Sequence, residues 1–268
     1  MSIKLSGLGR ISLAVTGFAL AGGAFLGTTR TASATPATLG FYPSTDIYAR
    51  GTAHYDADSY TRTNVTNGNG ATSGFTFGLG PETDSALGRT EAGFDYNFLN
   101  TATSVSFGRR IALNAKTQLY NNTEAGTRVV FGGWGLGSSR TNPNYLYLLG
   151  SKTISGNRFH VGVARAMSDT IVTNDRTSLQ LGYDRLISRK LSFVVDYYSG
   201  KGALSGVQPT LYYLFNDKAD VGLGYFRANN RGSGALNNQL YICFDYNFDT
   251  KGNVAPVPET VPGAPAIN

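Results

Sequence analysis

The sequence predicts an all-β protein, a transmembrane antiparallel up-and-down β-barrel of about twelve strands, with ten as the next count. Three observations predict it. Segments in which apolar and polar residues alternate recur from Asp46 to Phe248. The links between them tend to alternate, short then long. After the N-terminal region no run of about eighteen apolar residues occurs, so strands and not helices would do the crossing.

At the N-terminus, Lys4 and Arg10 precede an apolar stretch from Ile11 to Leu26, and Ala32-Ser33-Ala34 follows. A basic start, a short apolar run and small residues form the pattern of a secretory signal peptide, which places the cleavage after residue 34; an uncleaved anchor is the alternative. Residues 1–34 carry three basic and no acidic side chains, so the formal charge of +6 falls to +3 without them. That mild excess, with no Lys/Arg cluster, argues against nucleic acid as a partner. Residues 35–45 read as an extended periplasmic lead-in, residues 46–248 as the barrel and residues 249–268 as a Pro-rich disordered periplasmic tail.

The pattern predicts strands near 46–56, 72–80, 89–98, 103–113, 127–137, 144–153, 157–166, 177–187, 191–199, 206–216, 219–227 and 238–248. The last is the plainest. Leu240, Ile242, Phe244, Tyr246 and Phe248 share one side, and Gln239, Tyr241, Cys243, Asp245 and Asn247 the other. Phe94 alternates with Asp95, Val161 with His160 and Leu181 with Gln180 in the same way. Pro209 is awkward in a closed sheet, and a frayed rim or a bulge is the expected accommodation.

Short links such as 154–157, 187–190 and 216–218 fall at one rim, and longer Gly/Asn/Ser/Thr-rich ones such as 137–144 and 199–206 at the other. The stretches 81–88, 99–102 and 114–125 break that rule. Aromatic residues gather at the strand ends. Tyr55, Phe98, Trp134, Tyr197 and Tyr225 are expected at the long-loop membrane interface, with Tyr198 and Phe226 beside them, and Phe248 at the short-turn interface.

A signal peptide, repeated alternating segments and a last strand ending FDYNF (244–248) together resemble the outer-membrane β-barrel, porin-like class of bacteria. The resemblance spans about 46–248, is to a class and to no particular subfamily, and departs at the end, where Phe248 is followed by further residues. It implies a cell outer-membrane location with both termini periplasmic, outer-membrane lipid and lipopolysaccharide as surroundings, and the barrel-assembly machinery as a partner.

Inward parity gathers the ionisable candidates for a lumen lining: Arg50, His54, Glu91, Asp95, Arg110, His160, Asp184, Asp196, Asp220 and Asp245. Such a wall suits a hydrated pore for small polar solutes, and equally a narrow interior sealed by paired charges. The expected function is a small passive channel; the alternatives are a closed structural or adhesin-type barrel presenting long loops, a lipid-modifying enzyme, and a soluble secreted β protein. No nucleophile–histidine–acid motif or metal-ligand spacing stands out, so the expectation is no enzyme, no catalytic residues, no metal and no cofactor. Ser168 and Asp169 near His160 have loop spacing, and Asp56, Asp58 and Asp175 are read as outer-rim residues. Cys243, the single cysteine, is read as a space-filling residue facing the lumen.

Overall fold

The computed structural model describes residues 37–62, 70–82, 87–98, 107–139, 142–168, 175–202, 204–229 and 238–249. The expected signal peptide, Asp169 and the Pro-rich tail lie outside them. Twelve strands follow in order: β1 (Thr52–Arg62), β2 (Gly70–Leu79), β3 (Thr90–Asn97), β4 (Ile111–Asn122), β5 (Thr127–Gly137), β6 (Tyr145–Ile154), β7 (Asn157–Ala166), β8 (Thr177–Ser188), β9 (Leu191–Tyr198), β10 (Gly206–Leu214), β11 (Ala219–Ala228) and β12 (Gln239–Asp249). Each pairs antiparallel with its neighbours in sequence, and β1 pairs with β12 from Thr52↔Asp249 to Arg62↔Gln239, closing the barrel.

The faces show why it closes. Phe75, Phe94, Val161, Leu181 and Leu223 point outward and are exposed, Val161 at 58% and Leu223 at 56%. On the opposite side of the same strands Thr76, Asp95, His160 and Gln180 are buried. A water-soluble protein has the reverse arrangement, with exposed apolar area broken into small patches. Here the apolar belt runs round the whole sheet. Strands of about ten residues at ~3.3 Å rise, tilted as in membrane barrels, give a band about 25 Å tall, which matches a hydrocarbon core. In that medium an open sheet edge would leave donors and acceptors unmet at several kcal/mol each, so the edges join.

Most links at one rim are tight. Between β6 and β7 the turn is Ser155-Gly156, both at positive φ (49° and 78°), the left-handed pair that a two-residue hairpin requires. Two expected elements are corrected. The fourth strand was expected at 103–113 and runs instead over Ile111–Asn122, preceded by a 3₁₀ turn at Phe107–Arg110. With it, two of the three apparent exceptions to the short–long rule disappear. The first strand starts at Thr52 and not at 46. Pro209 sits within β10 opposite Val195 of β9, while the pairing with β11 passes from Val207↔Arg227 to Thr210↔Gly224 without a register shift. The imino acid, which has no N–H to donate, is met by a local gap in the ladder and not by a bulge.

Residues 37–49 belong to no strand of the wall. They lie inside the barrel, where Leu39, Phe41, Tyr42 and Ser44 are buried. The expectation of a periplasmic lead-in over 35–45 is therefore corrected: the described part of that stretch fills the lumen.

Candidate functional site

The internal segment is a small hairpin. Thr38 bridges Pro43, Leu39 N–H donates to the Tyr42 carbonyl at 2.9 Å, and Ser44 N–H to that of Ala37 at 2.9 Å. Gly40 and Pro43 suit the chain to so tight a turn and keep it out of any ladder. At the tip, the consecutive N–H groups of Gly40, Phe41 and Tyr42 converge on Oδ2 of Asp196 (β9) at 3.0, 2.7 and 2.9 Å. Such a cup of backbone donors is a natural carboxylate site.

Around the tip an aromatic cluster closes the long-loop end. Tyr42 stacks on Tyr198 with centroids 3.5 Å apart, Trp134 stacks on Tyr145 at 5.3 Å, and Phe41 meets Tyr60, Trp134 and Phe226 edge-on or tilted. Each such pair adds about 0.5–1.5 kcal/mol beyond area burial. The Tyr42 hydroxyl donates to the Leu204 carbonyl. Burial first, and then the neighbouring Asp196 carboxylate, push its pKa well above that of a free phenol, so it stays a donor.

Further down, the hairpin's backbone is held by the wall. Lys116 Nζ (β4) lies 3.1 Å from Glu91 Oε1 and donates to the carbonyls of Ala37 and Ser44 at 3.1 and 3.0 Å. Gln180 donates to the Pro43 carbonyl at 2.6 Å and Tyr212 to that of Leu39 at 2.9 Å. Glu91 accepts the N–H of Tyr48 at 2.8 Å. Two wall glycines make room: a Cβ on Gly182 would run into the Leu39 side chain, and one on Gly78 into the Ala49 carbonyl oxygen.

At the short-turn end Asp46 meets two arginines. Arg158 Nη1 and Nη2 reach its two oxygens at 2.5 and 2.7 Å, and Arg128 Nη1 reaches Oδ1 at 2.9 Å. Arg158 also donates from Nε to Asp184 at 2.9 and 3.2 Å, and His160 Nε2 lies 2.8 Å from the same carboxylate. Burial raises the carboxyl pKa of Asp46, but the guanidiniums outweigh it and hold it well below the usual range. On the other arc, His54 stacks on Tyr48 at 4.5 Å, bonds Asn247 at 3.0 Å and lies 3.4 Å from Asp245. Asp58 accepts from Tyr241 at 2.9 Å.

The lumen thus holds His54, Glu91, Asp95, His160, Asp184, Asp196, Asp220 and Asp245. Two expected members lie elsewhere. Arg50 is exposed beside Gly51, Gly78 and Pro81, before β1 begins. Arg110 ends the 3₁₀ turn, where its carbonyl accepts from Asn97 at 3.1 Å. Both errors follow from misplaced strand starts. Asp56 and Asp58, expected at the outer rim, are buried lumen residues of β1 for the same reason. Parity had the means to find Arg158, two before His160, and Asp56 and Asp58, two and four after His54. Asp46 had no such signal.

Of the expected interface aromatics, Phe98, Tyr225 and Phe248 are exposed, and Tyr197 half-buried. Trp134 is fully buried and faces inward on the parity of Arg128, Val130 and Gly132; Tyr198 and Phe226 are likewise interior. Tyr55 points outward near the short-turn rim, against Phe75 at 5.1 Å and opposite Tyr246, and not at the long-loop rim. Ser168 donates to the Ser139 carbonyl at 2.7 Å and is not a partner of His160. Asp175 accepts from the N–H of Lys201 at 2.7 Å, and Cys243 is buried inside.

No family model and no curated protein matches the sequence. Solved structures do match in fold. The KdgM porin in complex with disordered oligogalacturonate aligns at a TM-score of 0.47 and 12% identity, over 74% of this chain and 99% of that one. Omp33 of Acinetobacter baumannii aligns at 0.43 and 12%, over 75% and 99%. Outer-membrane phospholipase A of Escherichia coli aligns at 0.40 and 14%, over 76% and 95%. The expectation that the chain is no enzyme is withdrawn: phospholipases stand among the matched structures, and a barrel fold by itself decides neither for nor against catalysis. The closed twelve-strand antiparallel barrel, with its apolar outer belt and polar interior, has the architecture of an outer-membrane β-barrel.

Proposed function

We propose that the protein is a small-solute channel of the outer membrane whose own N-terminal hairpin closes it. In this reading the short-turn rim and both chain ends face the periplasm, the signal peptide is removed on export, and the barrel-assembly machinery inserts the sheet among lipid and lipopolysaccharide. The observation that carries the reading is what fills the lumen. The wall is polar, with acidic groups on β1, β11 and β12 and Lys116, Arg128 and Arg158 on the other arc, and a separate segment occupies the space between them. That segment is held in large part by hydrogen bonds between wall side chains and its backbone, which water can replace when it leaves.

A second reading is supported by the same filled interior: a permanently closed barrel that displays its long loops. Planar-bilayer recording separates the two. The channel reading expects rare openings for the full chain and sustained conductance once residues 37–49 are deleted. A folded deletion variant, identified by its heat-dependent gel mobility, that stays silent would leave the closed barrel.

A further inference from the structure

The Asp46 contact has the form of a ligand in a binding site. Arg158 is fixed to the wall through Nε by Asp184, which His160 in turn supports, and this leaves its two Nη groups aimed into the lumen. Those Nη groups take both oxygens of one carboxylate in fork-to-fork geometry, and Arg128 from β5 adds a third bond. The carboxylate comes from the hairpin and not from the wall. Without it the two Nη groups of Arg158 lose the carboxylate they grip, in a half-buried place where Asp184 already occupies Nε.

We infer that Arg128 and Arg158 form a carboxylate-binding site of the lumen, occupied by Asp46 while the hairpin is docked and taken by a carboxylate-bearing solute when it is not. The inference rests on the channel reading for its use, but the site itself is testable without any conductance. Solute and Asp46 compete for the same fork, so an acidic solute that binds there favours the undocked hairpin by its differential affinity for that state.

The probe is trifluoroacetate, followed by ¹⁹F NMR line broadening on the folded protein in a neutral detergent, with trifluoroacetamide as the uncharged control. In Asp46→Asn the internal competitor loses its charge, and the apparent affinity for trifluoroacetate is expected to rise about tenfold or more over wild type. Adding Arg158→Gln should remove that gain, and trifluoroacetamide should show none. No gain in Asp46→Asn, or a gain that survives Arg158→Gln, overturns the site. If Asp46→Asn does not fold, the unaltered chain decides. Cys243, the single cysteine, is buried in the same interior. Its labelling by a small thiol reagent should be faster in trifluoroacetate than in equimolar sodium chloride, and equal rates overturn the site. A broadened probe with a silent bilayer would remove the channel reading alone; conductance without broadening would remove the site alone.

Discussion

Replacing Asp196 by Asn should loosen the hairpin while leaving the wall intact. One carboxylate oxygen accepts three backbone N–H groups, from Gly40, Phe41 and Tyr42, at 2.7–3.0 Å, in a position with no solvent exposure. The amide oxygen of Asn can take the same place but carries no formal charge, so all three bonds lose charge assistance, about 0.5–1 kcal/mol each. The total of about 1.5–3 kcal/mol is equivalent to about 10- to 150-fold in the docked-to-undocked ratio. Labelling of buried Cys243 by a small methanethiosulfonate reports that ratio when opening is fast relative to reaction. The expected result is a rate raised by that factor in a barrel with unchanged heat-dependent mobility. A rate within about twofold of wild type would refute the assignment of Asp196 as the anchor of the tip.

Two further predictions concern the belt and the clasp. Phe94→Arg puts a charge on an outward mid-strand position of β3, beside Phe75, and should cost about 2–4 kcal/mol of folding into liposomes, read as a lower heat-shifted fraction; an unchanged fraction would contradict lipid contact there. The pKa of Asp46 is depressed when docked among Arg128, Arg158, Asp184 and His160, so its contribution to docking is fully present above the ordinary carboxylate value of about 4 and is lost as pH falls below it. Trp134, the single tryptophan, touches Phe41 and Tyr42, and its emission should change below about pH 4 with a smaller amplitude in Asp46→Asn.

The wall was largely legible in the sequence because the membrane imposes a period of two on every strand. Where one face was strongly apolar, as in Gln239–Phe248 or Asn157–Ala166, the expected boundaries lie within a residue of the observed ones. β4 was misplaced because its outward residues include Ala115 and Thr117 as well as Leu113 and Leu119, while its inward side carries Asn114, Lys116 and Gln118. The contrast between its faces is weak, and Phe107, which belongs to the 3₁₀ turn, drew the strand toward the loop. That shift hid Lys116, whose ammonium holds two carbonyls of the hairpin. The hairpin itself has no local signature. Gly40 and Pro43 read as loop, and its partners lie on strands far away in sequence. What the sequence did contain was an inward carboxylate at Asp196, whose three donors turn out to come from the hairpin and not from the wall.

The central claim, that residues 37–49 occupy the lumen, is tested most directly by a covalent link. A Cβ placed on Gly40 lies 3.3 Å from the Cβ of Thr210 on β10, and the hydroxyl it would crowd is removed when Thr210 is replaced. That separation is close to the ~3.5–4.5 Å span of a disulfide. In a Cys243→Ala background, Gly40→Cys with Thr210→Cys should oxidise to an intrachain bridge, seen by mass spectrometry as one peptide joining the two sites in membrane-extracted protein. Two free, reagent-accessible thiols in a folded barrel would place the hairpin outside and contradict the account.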